Sequence, residues 1–241
     1  MNQPSVSIIV PVYNAEAYVA DCIRSVMRQT CRGELECILV DDCGSDKSME
    51  VVEKMVSEYD GPVRFKILHH EHNRGVSAAR NTGIKNACGD YLFFLDSDDE
   101  LTDEGVEELT RPLADGLYDV VEGGFEWIFI STSSGRSDFG NERVVKKPNE
   151  TLVEQPDILH AYQEGWNFPV WNKLIRSGFV KENNLFFKEI PIYEDSLWCF
   201  QMAFLAKTLF FITDITYRYK LREGSICDTL DRRSRSVYQM L

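Results

Sequence analysis

The chain has 241 residues, 44% of them hydrophobic and 12% aromatic, enough for one sizeable globular core or a core with an appended subdomain. Its formal net charge of -13 argues against a general nucleic-acid binder, which usually carries a basic footprint. Seven cysteines, odd in number and without a CxxC pair, indicate neither a disulfide framework nor a zinc site and fit a reducing cytosol. Met1 to Val12 lacks a basic leader, and no apolar run reaches the roughly 18 residues that cross a bilayer. Secretion and membrane spanning are therefore not expected, while peripheral attachment stays open.

Val6 to Val12 is an apolar run that reads as a strand. Asn14 is the expected N-cap of the next helix, because Val19, Cys22, Ile23, Val26 and Met27 recur at helical spacing. Cys37 to Val40 is a second short strand, and it ends in Asp41-Asp42-Cys43-Gly44-Ser45-Asp46. Met49, Val52, Met55 or Val56, and Tyr59 continue as an amphipathic helix. Val63 to Leu68 alternates as a third strand, and Val76, Ala79, Gly83, Ile84 and Ala87 mark a third helix. Strands alternating with helices of this length imply βαβ units and a largely parallel sheet. His69, His70 and His72 resemble a metal cluster, but consecutive residues of a strand point to opposite faces, so a solvated strand end is expected.

The most informative stretch is Asp90 to Asp99. Tyr91-Leu92-Phe93-Phe94-Leu95 has the length and composition of a buried strand, and it empties into Asp96-Ser97-Asp98-Asp99. Three such close carboxylates repel one another unless a cation or hydrogen-bond donors meet them. They are more than a helix cap requires, and hard oxygen ligands point to Mg²⁺ or Mn²⁺ rather than zinc. Ligands of open α/β sheets sit beyond the carboxyl ends of the strands, where Asn14, Asp42 and Asp96 all fall. One shared crevice with a nucleotide in it follows. With no GxGxxG after the first strand and no GxxxxGK[ST], the phosphates must be met mainly by metal and basic side chains.

Thr102 to Ala114 reads as one helix, with Asp103 and Glu104 at its acidic start. Tyr118 to Ile130 is β-rich, and Gly123-Gly124 within it marks a bulge or a close backbone approach. Ser131 to Asn149 shifts to Ser, Gly, Asn and charge and reads as a loop. A helix is expected over Pro156 to Tyr162, then an aromatic stretch from Trp166 to Leu174. Glu194-Asp195 opens a helix carrying Leu197, Trp198, Gln201, Phe204 and Leu205. Leu209 to Tyr219 is β-prone, and a basic, polar segment with Arg222, Arg232, Arg233 and Arg235 follows.

In order and spacing, Pro11-Val12-Tyr13-Asn14, Val40 to Asp46, Asn73-Arg74-Gly75-Val76-Ser77-Ala78-Ala79-Arg80-Asn81 and Asp96-Ser97-Asp98-Asp99 resemble the successive motifs of family 2 inverting glycosyltransferases. Trp171-Asn172-Lys173-Leu174, Glu194-Asp195 and Arg222-Glu223-Gly224-Ser225-Ile226 are similar to later motifs of bacterial members that build surface polysaccharides. The resemblance implies a single GT-A-like (Rossmann-like) α/β domain over residues 1–241, its mixed, mainly parallel sheet flanked by helices. Residues 1–100 would form the nucleotide-sugar half and 101–241 the acceptor half. Relatives of this type commonly continue further, so a longer parent chain is expected.

The resemblance also implies roles. Pro11, Tyr13, Asn14 and Asp42 would hold the base, normally uracil, with Asp42 accepting from a ring N–H; Asp42 is equally a good turn former. Cys43 stands where the family usually has Gly or another small residue. Arg80 would face the diphosphate, Asp98 would bind Mn²⁺ or Mg²⁺, and Asp96 would contact ribose or the metal's shell beside Ser97. Asp99 would join or orient that shell. Asp195 would be the general base, its helix N-terminal place favouring the ionised form, and Glu194 would orient it or bind acceptor hydroxyls. Trp166 and Trp171 would stack on sugars or belong to the core. Lys173 would reach a phosphate or lie in solvent, and Arg222 and Ser225 would belong to a loop over the diphosphate. The implied activity is metal-dependent, inverting transfer from a UDP-sugar to a hydroxyl of a glycan or lipid-linked acceptor, in the cytoplasm at the inner face of the membrane. A silent binding or scaffold relative and a nucleotidyltransferase are the alternatives.

Overall fold

Runs that are apolar at most positions need cover on both faces, and the first, second and fourth strands of this chain obtain it. The computed structural model describes residues 4–130, 142–145, 147–163, 169–190 and 193–222. In chain order the elements are β1 (Val6–Val12), α1 (Val19–Met27), β2 (Leu35–Asp41), α2 (Ser48–Ser57), β3 (Arg64–His69), α3 (Val76–Asn86), β4 (Tyr91–Phe94), β5 (Glu100–Leu101), α4 (Gly105–Thr110), β6 (Val120–Ile130), β7 (Glu142–Val144), β8 (Thr151–Glu154), α5 (Asp157–Gln163), β9 (Lys173–Arg176), α6 (Ser177–Glu182), α7 (Glu194–Leu205) and β10 (Thr208–Arg222).

The strands form one ten-stranded sheet in the order β3-β2-β1-β4-β9-β6-β10-β5, with β7 on β6 and β8 on β10. β1 lies between β2 and β4 and is parallel to both, and β3 extends this parallel half. β9 is antiparallel to β4 and to β6, which makes the sheet mixed as expected, while β6 and β10 pair in parallel. Strand alternation sorts the core into two layers. Ile8, Val10, Leu39 and Phe93 meet α1, α2 and α4 on one face. Ile9, Ile38, Leu92 and Phe94 meet α3, α5, α6 and α7 on the other. Among the described residues no helix is long and apolar enough to cross a membrane, and the six described cysteines are free.

Four local expectations are corrected. Asn14 does not cap α1, which begins at Val19 after Tyr18; it sits at φ 48° and its Oδ1 accepts the Ser45 N–H at 2.8 Å. The single helix over Thr102 to Ala114 is instead α4 followed by a 3₁₀ turn, Arg111–Ala114, because Pro112 has no N–H to continue the α-ladder. The aromatic stretch delivers β9, a central strand, and α6 follows it at once. Within the expected loop Ser131 to Asn149, residues 142–144 form β7, and 131–141 lie outside the described residues. The close approach expected at Gly123-Gly124 is present: a Cβ on Gly123 would lie 2.3 Å from Thr216 Oγ1.

Gly83 is where α3 comes against β1, since a Cβ there would lie 2.3 Å from Ile9 Cγ2. Gly83→Ala is expected to destabilise the fold by about 1–3 kcal/mol through overpacking. Urea unfolding checks this: the midpoint falls at unchanged slope, and an unmoved midpoint refutes the close packing.

Candidate active site

Because β1, β2 and β4 run parallel side by side, the turns that follow them open at one edge of the sheet. At the first turn Pro11 is buried within β1, while Tyr13 is exposed on the rim. The second turn is held by its own acids. Asp41 accepts the Cys43 N–H and pairs with His69 Nδ1 at 3.0 Å. Asp42 is buried; its Oδ1 takes the Arg74 N–H at 2.9 Å and its Oδ2 the Gly75 N–H at 2.8 Å. Asp42, expected to accept from a base, is thus turned to the chain itself and anchors the start of α3. His70 Nδ1 lies 2.7 Å from Asp42 Oδ1, and its Nε2 lies 2.9 Å from Thr82 Oγ1. The adjacent histidines do serve different aspartates, as alternation required, but His70 is buried rather than solvated.

The third turn is the acidic loop. Asp99 points into the fold, where Tyr217 O–H donates to Oδ2 at 2.7 Å and the Lys220 N–H to Oδ1 at 2.8 Å. It therefore orients the loop from behind. Burial, then the like charges of Asp98 and Asp96, push its carboxyl well above the usual range, against the pull of those two hydrogen bonds. The same Tyr217 hydroxyl accepts the Asp96 N–H at 3.3 Å. Ser97 and Asp98 are half-buried.

Arg80, expected to face a diphosphate, lies almost wholly buried on α3 with its two terminal nitrogens on carboxylates: Nη2 to Asp96 Oδ1 at 2.9 Å and Nη1 to Glu194 Oε1 at 3.0 Å. Among the described residues its Nε has no hydrogen-bond partner. Burial lowers its pKa, but Asp96, Glu194 and Asp195 outweigh that and hold it above the ordinary arginine value. Glu194 and Asp195 open α7 as expected, and Asp195 Oδ1 accepts the Ser196 N–H at 2.7 Å. The helix terminus does not win at Asp195. Burial, opposed by Arg80 and reinforced by Glu194, raises its pKa.

Two expected contact residues lie inside the protein. Trp171 is buried and stacks on Tyr217, ring centroids 4.6 Å apart, and on Tyr219 at 5.2 Å, so it supports the Asp99 anchor from within. Lys173 neither reaches the crevice nor meets solvent: it is fully buried, donates to the Pro169 carbonyl at 2.7 Å and lies 3.7 Å from Glu122 Oε1. Trp166, Ser225 and the Arg222 side chain lie outside the described residues. Tyr217, Lys220, His70 and Thr82 were not read as site residues, and only the adjacency of His70 to a strand end hinted at one of them.

No cluster of three or more His, Cys, Asp or Glu able to close around an ion occurs among the described residues. Asp96 and Asp98 nevertheless fit a hard divalent ion, which in nucleotide enzymes takes one or two carboxylates and completes its shell with substrate phosphates and water. Burial first, and then the like charges of Asp98 and Asp96, raise Asp99, and a cation at these carboxylates would offset the second of these causes.

Comparison with known proteins bears on the family and the fold. The family model "Glycosyl transferase family 2" matches residues 7–203. The glycosyltransferase EpsH of Bacillus subtilis (strain 168) is 30% identical over 229 residues, covering 94% of this chain and 63% of EpsH. GlyG, a glycosyltransferase of Streptococcus pneumoniae serotype 4, is 29% identical over 234 residues, covering 93% of this chain and 73% of GlyG. The crystal structure of Staphylococcus aureus TarS 1-349 in complex with UDP-GlcNAc superposes with a TM-score of 0.78 at 25% identity, covering 93% of this chain and 61% of that one. The chain thus spans less than two thirds of EpsH and of the TarS fragment. By its family model, its relatives and its GT-A fold, the chain belongs to glycosyl transferase family 2.

Proposed function

We propose that this chain carries the transfer site of a metal-dependent, inverting glycosyltransferase that moves a sugar from a UDP-sugar to a hydroxyl of a glycan or lipid-linked acceptor during surface-polysaccharide synthesis. The observation that carries the reading is the Arg80 bridge. One buried guanidinium joins Asp96 of the acidic loop to Glu194, whose neighbour Asp195, also in the first turn of α7, has a raised pKa. The UDP and UDP-GlcNAc bound by S. aureus TarS support a UDP-sugar as the donor class.

In this reading residues 1–100 hold the donor and the remainder shapes the acceptor side. Asp96 and Asp98 would hold Mn²⁺ or Mg²⁺, which when bound supplies Lewis-acid neutralisation of the leaving nucleoside diphosphate. Asp195 removes the acceptor hydroxyl's proton as the acceptor oxygen bonds to the anomeric carbon and the bond from that carbon to the diphosphate oxygen breaks. In-line displacement of this kind inverts the anomeric centre. Glu194, held by Arg80, fixes the start of α7 and keeps Asp195 in place. Burial that raises Asp195 makes it a stronger base than a solvated aspartate, which suits proton removal near neutral pH. We place the enzyme in the cytoplasm at the inner face of the membrane, where lipid-linked acceptors are reached.

Isothermal titration of UDP, GDP, CDP and UMP with and without Mn²⁺ tests the donor site. UDP-selective, Mn²⁺-dependent binding that Asp98→Ala abolishes is expected. Folded protein that binds no nucleotide under either condition removes the transferase reading and leaves a scaffold relative.

The base is tested by the pH dependence of turnover. A base works only when ionised, and the pKa of Asp195 is raised. The acid limb therefore falls above the pH at which an exposed aspartate titrates, and no alkaline limb arises from this group. Asp195→Asn is expected to lower turnover by about 10²- to 10⁴-fold and to remove that limb while UDP binding persists. An unchanged limb in Asp195→Asn assigns the base elsewhere.

A further inference from the structure

The face of α3 that carries Arg80 carries two more polar side chains without an assigned role. Ser77, Arg80 and Asn81 stand at i, i+3 and i+4, so they project from one side of the helix. All three reach toward the segment between α6 and α7. Asn81 grips the backbone of Phe187 twice: its Nδ2 donates to the Phe187 carbonyl at 2.9 Å, and its Oδ1 accepts the Phe187 N–H at 2.8 Å. Ser77 Oγ donates to the Lys188 carbonyl at 2.9 Å. Arg80 lies over the Phe187 ring, 5.3 Å from its centroid, before it reaches Glu194.

The gripped segment is also fixed to α7. The Phe187 ring lies parallel to Trp198 at 4.9 Å, and Trp198 Nε1 donates to the Leu185 carbonyl at 3.2 Å. Position is therefore passed along a short solid path, from α3 through Phe187 to the helix whose first residues are Glu194 and Asp195. The start of α3 is itself set by Asp42 through the Arg74 and Gly75 N–H groups. One helix thus carries, in sequence, the anchor from the second turn, the bridge to the acidic loop and the grip on the base-bearing segment.

We propose that Asn81, assisted by Ser77, is a positioning residue that sets Asp195 against the donor, so that its loss lowers turnover while donor binding is kept. This rests on the transferase reading above. An amide is suited to the task because one planar group offers, on two separate atoms, a donor and an acceptor to the two backbone groups of a single residue. A carboxylate only accepts and cannot meet both.

The test uses the full chain with Mn²⁺, UDP-N-acetylglucosamine and UDP-glucose as donors and water as the acceptor. It reads UDP release per UDP-binding site, the Kd for UDP, and amide hydrogen exchange over residues 185–190. Counting sites by UDP binding separates misfolding from slow chemistry. Asn81→Ala is expected to speed exchange at Phe187 and to lower kcat per site by about 10- to 100-fold, the scale of a catalytic group displaced by an ångström. The Kd for UDP is expected to stay within about two-fold, because only a step after binding is affected. Ser77→Ala removes a single bond, provides a milder variant where Asn81→Ala folds poorly, and is expected to shift the same quantities in the same direction. Unchanged kcat per site in both variants overturns the proposal, as does UDP binding that falls in step with kcat. Wild-type protein that binds UDP but releases none from either donor sinks the transferase reading, and the role of Asn81 in turnover with it.

Discussion

A charge taken out of water must find an opposite charge or a set of hydrogen bonds, and Arg80 is the residue on which that requirement bears most heavily here. Its guanidinium is almost fully buried, and its terminal nitrogens are divided between Asp96 and Glu194. Each carboxylate belongs to a different part of the chain: one follows β4, the other starts α7. Breaking such a pair by removing one member leaves an uncompensated buried charge, a loss of about 3–5 kcal/mol in known cases. The acidic loop and the start of α7 are therefore held at a set separation by electrostatic necessity as well as by packing.

The same logic runs through the supporting residues. Asp42 is buried because two backbone N–H groups at the start of α3 and His70 meet it. Asp99 is buried because Tyr217 and the Lys220 N–H meet it. In the second turn both adjacent acids are spent on holding the chain, Asp41 on Cys43 and His69 and Asp42 on the start of α3, whereas in the acidic loop it is Asp99 that does so while Asp96 meets Arg80.

The parallel half of the sheet could be read from the sequence because its signals are local. β1, β2 and β4 are apolar at most positions, and α1 to α3 show helical spacing. The positions of Asn14, Asp42 and Asp96 at strand ends followed from that alone. β9 was not read as a strand, since four residues beginning with a lysine give no alternating pattern. Its identity depends on β4 and β6, which supply the partners on either side. Lys173 was expected at a phosphate or in solvent for a related reason: nothing local to Trp171-Asn172-Lys173-Leu174 tells that the Pro169 carbonyl and Glu122 will receive its ammonium group inside the sheet. The direction of the Asp195 shift was also misread, because a helix terminus can be seen in sequence and burial cannot.

The tether between Asp99 and Tyr217 joins residues 118 positions apart. Asp96, Asp98 and Asp99 lie within the first hundred residues, yet their loop is held by β10, the last strand among the described residues. During synthesis the acidic loop must wait, its charges in water, until β10 has emerged and paired with β6. Contacts so distant in sequence form late because closing the intervening loop costs entropy before the contact returns it. A nascent chain stopped short of β10 therefore carries the acidic loop without the Tyr217 hydroxyl and the Lys220 N–H that hold Asp99.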